Sequence, residues 1–313
     1  MPDLTPAQLE QYYKHIHLPQ KDQPTNLSSL DEQDQLKCLI KLLHHQLCYV
    51  PFENFDLHYS AVKGVSLDPT FLFHKIVTRA SGRGGYCMQN NSFFASVLRT
   101  IGFRVRSVGA RVSRDFHATE PEYSGWSHQV NIVSIGKERY MVDVGFGNEG
   151  PTVPMSLSDE SKILQTGDSD QAGYYGQVKA VYDEESQTSS YIYQMSRGGT
   201  APYTPRYSFT KMEFLSQDFE VMSFHVANSR KTMFVQNVIC TKFLLAEDGK
   251  SIVGDITLNN NVLKERRYGK SEPLAEIQTE SDRVQALEKF MGIKMLPEEI
   301  AGIQGLPTEL KSQ

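Results

Sequence analysis

Residues 83 to 102 read RGGYCMQNNSFFASVLRTIG, and the fold is best read outward from this stretch. A glycine pair is followed, one residue later, by Cys87, and the chain then runs without a breaker for about four helical turns. Phe94, Val97, Leu98 and Ile101 fall at the spacing of a buried helical stripe. Counting back along that stripe in steps of three and four leads to Asn91 and Cys87, so the cysteine faces the core at the first turn. Gly102 ends the helix, as a residue free to go left-handed does. A thiol here lies among unpaired backbone N–H groups at the positive end of the helix dipole, and both favour the nucleophilic thiolate. Gly84 and Gly85 permit a sharp turn and leave room for something to approach the sulfur. The plainer alternative is a buried cysteine acting as a small hydrophobe.

The chain of 313 residues is long enough for a large core and for two or three domains. Its hydrophobic fraction of 39% and charged fraction of 22% are those of an ordinary globular protein. A formal net charge of -5 gives no whole-molecule reason to expect nucleic acid or an anionic membrane as partner. The N-terminus shows no basic segment followed by an apolar run, and no stretch is apolar for long enough to span a bilayer. Cys38, Cys48, Cys87 and Cys240 are scattered, without the C-x-x-C spacing of a zinc site or the pattern of a disulfide framework. A soluble, cytoplasmic enzyme without a bound metal is the expectation.

Thr5-Pro6-Ala7-Gln8 is a helix start, and residues 31 to 48 repeat a helical stripe that Pro51 follows. Asp68-Pro69 opens a third helix toward Ala80, and the cysteine helix is the fourth. Beyond Gly102 the texture changes to valine- and isoleucine-rich strands at 105–112, 126–135 and 138–144, with others at 174–182 and 191–194. Residues 158 to 173 are polar and turn-rich, and read as a surface insertion. A strand over 233–245 and a late helix over 281–291 follow. The expected class is α+β: a helical bundle over residues 1–102, a β domain over 103–208 and a mixed domain over 209–313.

A nucleophilic cysteine needs a base, and the base an orienting acceptor. Among nine histidines, His128 stands apart because it lies in a predicted strand whose hairpin partner contains Asp143. A hairpin centred between Ile135 and Gly136 sets the two directly opposite, with Cβ atoms about 4.5 to 5.5 Å apart on one face. The carboxylate would then hold the imidazole tautomer and stabilise its cation. A slip of one residue would break the pair; the plainer alternative is a hairpin with an incidental cross-strand polar pair. Cys87, His128 and Asp143 in this order form a thiol acyl-transfer triad in logic, like papain-like and transglutaminase-like sites.

RGGYCMQNN at 83–91, PFENFDLHY at 51–59 and YMVDVGFGNEGP at 140–151 resemble the signature stretches of the arylamine N-acetyltransferase family, which has fungal members. The resemblance implies a helical bundle, a β-barrel and an α/β lid around a cysteine-protease-like site. It implies a ping-pong enzyme of xenobiotic metabolism, with an acyl-coenzyme A such as acetyl- or malonyl-coenzyme A as co-substrate. Arylamines, arylhydrazines or N-arylhydroxylamines would be the acceptors, and no metal or permanent cofactor is implied. Cys87 would be the nucleophile, His128 the base and Asp143 its orienter, with Arg83 and Glu53 pairing structurally beneath them. Ser124, Gly125 and Ser127 match contacts to coenzyme A and acceptor, and Gly145, Phe146 and Gly147 the loop closing over the acyl group. Ser229, Arg230, Lys231 and Thr232 lie where relatives carry a proline-centred coenzyme A contact. Arg230 and Lys231 depart from that pattern and would bind coenzyme A phosphates or a malonyl carboxylate, or simply be a solvated basic pair. Gln89-Asn90 is a second departure and leaves acceptor choice open. The rival reading is a cysteine amidase or peptidase with the same triad; a non-catalytic binding relative is the other.

Overall fold

Thr5 caps the first helix, Pro6–His15, through a capping box with Gln8, and Asp31 caps the second, Glu32–Tyr49. Pro69–Phe73 continues as a wider π turn over His74–Thr78, and the cysteine helix spans Cys87–Ile101. These helices share one core with Val133, Ile135 and Val142 of the following strands, with Val144 just beyond them, and with Phe243 and Ile252 of the last third. The computed structural model describes residues 4–24, 26–166, 173–185, 187–198 and 201–311.

The strands form two antiparallel sheets. The larger has eight, in the order Met155–Ser156, Glu138–Val142, Tyr123–Ile135, Arg104–Ser113, Thr204–Glu213, Thr188–Arg197, Tyr174–Asp183 and Ile163–Thr166. Its concave core holds Val108, Val130, Met141, Tyr193, Tyr207 and Phe209. Where a β-barrel is expected, the sheet is a curled half-barrel whose two end strands do not pair with each other. Those ends are only two and four residues long and offer few backbone groups with which to close a barrel. The segment expected to be an insertion thus supplies an edge strand, Ile163–Thr166; residues 167–172 of it lie outside the described residues. Thr204–Glu213 runs through the expected 208/209 boundary, because its neighbours on both sides belong to the same sheet.

The second sheet has five strands, Phe52–Glu53, Ile239–Leu245, Ile252–Asn259, Val262–Arg267 and Lys270–Glu276. Its first strand comes from the N-terminal third and pairs Phe52 with Thr241 and Glu53 with Cys240. The expected strand over 233–245 is instead a short helix, Met233–Gln236, followed by the strand from Ile239. Thr232 lies in extended backbone and its carbonyl accepts from Val235 and Gln236 N–H, which winds that turn. The late helix divides into Glu280–Ala286 and a π turn to Met291. No helix of the described residues is long and apolar enough to cross a membrane.

Candidate active site

Cys87 is the first residue of its helix and is 2% exposed. Gly84 precedes it because a Cβ there would overlap the Pro51 carbonyl oxygen. The expected approach to the sulfur is therefore, at this glycine, an approach by the chain itself: Glu53 N–H donates to Gly85 O at 3.0 Å, tying the Phe52–Glu53 strand to the turn. The sulfur lies 3.8 Å from the Ser127 carbonyl oxygen and 3.2 Å from Met88 Sδ.

The hairpin carrying the other two residues has a different register from the one expected. Ile135 pairs with Glu138 and Asn131 with Val142, a slide of two residues, so His128 and Asp143 are not directly opposed. Side chains alternate faces with a period of two, so a two-residue slide keeps both groups on the same face as diagonal neighbours. His128 Nε2 lies 2.7 Å from Asp143 Oδ2, with both side chains buried. Burial works against a charge on His128, but the Asp143 carboxylate and then the Cys87 sulfur outweigh it and lift the imidazole to about 10. With Nε2 on Asp143, Nδ1 is the nitrogen left for the sulfur.

Two residues that the sequence reading did not single out as site residues complete the arrangement. Asn91, one turn beyond Cys87, donates from Nδ2 to Asp143 Oδ1 at 2.8 Å and to Gln129 O at 2.7 Å, while its Oδ1 accepts from Val144 N–H. Gly145 N–H donates to the same Asp143 oxygen at 2.8 Å. Tyr207 packs on the His128 ring at 5.1 Å and on Phe146 at 4.9 Å. Burial, then the charge of Asp143, holds its hydroxyl well above the usual tyrosine range. The i+4 spacing from Cys87 to Asn91 carried a signal for the first; Tyr207, far along the chain, had none.

A second charged network lies beneath the same helix start. Arg83 Nε donates to Glu53 Oε1 at 3.0 Å, its Nη2 to Asp56 at 2.8 Å and its Nη1 to Glu299 at 2.7 Å. Lys75 meets Asp56 at 2.6 Å and Glu53 at 3.2 Å. Burial alone would raise the Asp56 carboxyl; Lys75 and Arg83 instead bring it down to about 2. Gln89 donates to Asp56 and Asn90 to Pro51 O, so both point into the scaffold.

A cleft of about 600 Å³ opens on Cys87 and His128. Of the expected contacts, Ser124, Gly125, Ser127, Gly145, Phe146, Gly147 and Thr232 line it. Ser229, Arg230 and Lys231 do not; Arg230 and Lys231 are exposed beside it. Arg114 is a cation that does line it. Phe52, Phe116, Trp126 and Phe234 add aromatic walls. Among the described residues no cluster of side chains is suited to holding a metal ion.

A family profile described as N-acetyltransferase matches residues 35–299. The N-malonyltransferase FDB2 of Fusarium pseudograminearum is 35% identical over 329 residues, covering 98% of this chain and 94% of the relative. The chain belongs to the arylamine N-acetyltransferase family. The fold agrees: the arylamine N-acetyltransferase of Mycobacterium abscessus superposes with a TM-score of 0.74 at 20% identity, over 95% of this chain and 93% of that one. The Mycobacterium marinum enzyme, solved in complex with CoA, gives 0.72 at 23% identity over 95% and 99%. This arylamine N-acetyltransferase family member is an acyl-coenzyme A-dependent N-acyltransferase.

Proposed function

We propose that this enzyme moves an acyl group from coenzyme A to an aromatic amine by a ping-pong route through a thioester on Cys87. The observation that carries the reading is the 2.7 Å His128–Asp143 hydrogen bond beside Cys87 at the floor of an aromatic-lined cleft. The proton of the Cys87 thiol already rests on His128, and the sulfur attacks the thioester carbonyl. The oxyanion is met by first-turn backbone N–H groups, and coenzyme A departs as its thiol with the proton from His128. The amine then attacks the acyl-cysteine, His128 accepts its proton, and the Cys87 sulfur leaves. Asp143 orients the imidazole and stabilises its cation; Asn91 and Tyr207 position Asp143 and the ring.

Phe146 and its aromatic neighbours offer flat apolar faces to arylamines, arylhydrazines or N-arylhydroxylamines. Acetyl- and malonyl-coenzyme A are the donors, the second supported by the likeness to the Fusarium N-malonyltransferase. Ser124, Gly125, Ser127 and Thr232 contact the pantetheine arm. Arg230 and Lys231, one or two residues from cleft-lining Thr232, are placed for the coenzyme A phosphates, with Ser229 holding their turn.

Mass spectrometry of the enzyme mixed with acetyl-coenzyme A and no amine tests the reading. One acetyl group on the Cys87 peptide and one coenzyme A thiol released per chain are expected. Acylation elsewhere, or amide hydrolysis without coenzyme A, would move the assignment to the amidase class.

A further inference from the structure

The loop that carries Phe146 also carries Glu149, the carboxylate among the described residues that line the cleft. Its side chain is 22% exposed and stands 2.7 Å from the guanidinium of Arg206, which is 8% exposed and does not line the cleft. The guanidinium is fixed from behind: Nη1 donates to Phe116 O, Thr204 O and Thr204 Oγ1, and the group lies over the Phe116 ring at 5.1 Å. Nε and Glu149 Oε2 form an ion pair without hydrogen-bond alignment, and neither Glu149 oxygen accepts a hydrogen bond among the described residues. Oε2 is buried against Arg206, which leaves Oε1 as the oxygen able to accept from a ligand in the cleft. Arg114, in the same lining, is 65% exposed and lies 3.9 Å from Glu122, so it is poorly placed to cancel that charge, and the His128 cation is already paired with Asp143.

We propose that Glu149 is a specificity-determining residue that selects acceptors by charge. It accepts from aryl amines carrying a hydrogen-bond donor on the ring and turns away those carrying a carboxylate. The proposal rests on the acyl-transfer reading above. A like charge across a partly desolvated cleft is worth on the order of tenfold in relative turnover.

The matched probes are 4-aminobenzamide and 4-aminobenzoate, alike in ring and size and different in charge. With acetyl-coenzyme A as donor, wild-type kcat/KM is expected to favour the amide by roughly tenfold. Glu149→Gln should bring that ratio down to about threefold or less, while Glu149→Asp, which keeps the charge, should retain most of it. A ratio between two acceptors on one enzyme preparation cancels any loss common to both. If the single substitution strands Arg206 and the chain fails to fold, Glu149→Gln combined with Arg206→Gln removes both charges and is read the same way. Equal turnover of the two probes by the wild type, or an undiminished preference in the Gln variant, would overturn the proposal. Loading of Cys87 by acetyl-coenzyme A is measured alongside: normal loading with no charge preference sinks Glu149 alone, whereas no loading sinks the acyl-transfer reading with it.

Discussion

The start of the Cys87–Ile101 helix sits between two buried charged networks, and only one of them is unfinished. On the Arg83 side, Arg83 pairs with Glu53, Asp56 and Glu299, and Lys75 with Glu53 and Asp56, in an interlocked set away from the cleft. On the Cys87 side, Asp143 accepts from Asn91, Gly145 and His128, while the imidazole's other nitrogen is left for the sulfur, and both residues line the cleft. Both networks hold ions out of water and both shift pKa values strongly. Perturbation by itself therefore does not mark chemistry; an incomplete coordination facing a cleft does.

The widest separation between the two sides should come from Cys87→Ser. Steady-state turnover is expected to fall by at least about 10⁴-fold, with the melting temperature little changed. Asp143→Asn should follow with a loss of about 10³-fold or more, since the imidazole loses its orienting acceptor. The same side makes a prediction about protons. His128 is raised from 6.5 to about 10, so the stabilisation from its cation is fully present below pH 6.5 and is lost as pH rises toward 10. Nitrogen-labelled histidine NMR should show an imidazolium through neutrality, and in Asp143→Asn a titration moved back toward the ordinary range.

Arg83→Ala tests the other side. Stranding Glu53 and Asp56 should cost about 3 to 5 kcal/mol in denaturant unfolding, with far less effect on activity per folded molecule. If activity falls in step with Cys87→Ser while stability holds, the division drawn between the two networks is wrong. The smallest effect belongs to Arg230→Ala and Lys231→Ala. Being exposed, they should raise the KM for acetyl-coenzyme A by no more than about threefold, and less in high salt.

Much of this was readable before any coordinates, and the reasons are local. The helix around Cys87 announces itself by stripe and glycine, and the His128–Asp143 face survives a wrong register because the slide was even. The Arg83–Glu53 pairing was expected from the resemblance and is observed. The late strands Val262–Arg267 and Lys270–Glu276 were not delimited, because VLKERR and KSEPLAE hold few apolar residues to set a period. Met233–Gln236 reads as strand by composition, and backbone bonds to the Thr232 and Met233 carbonyls wind it into a helix. Tyr207, Glu149 and Arg206 were out of reach for another reason: strand pairing and loop packing set Tyr207 against His128 and Arg206 against Glu149 from distant points in the sequence.

Phe52–Glu53 completes a sheet whose other four strands begin at Ile239, and Arg83 waits for Glu299. A polypeptide emerging from the ribosome therefore has its sulfur, imidazole and carboxylate translated long before the floor under them can lock. The turn before Cys87 thus takes its last neighbouring strand and an ion-pair partner from the final part of the chain to be made.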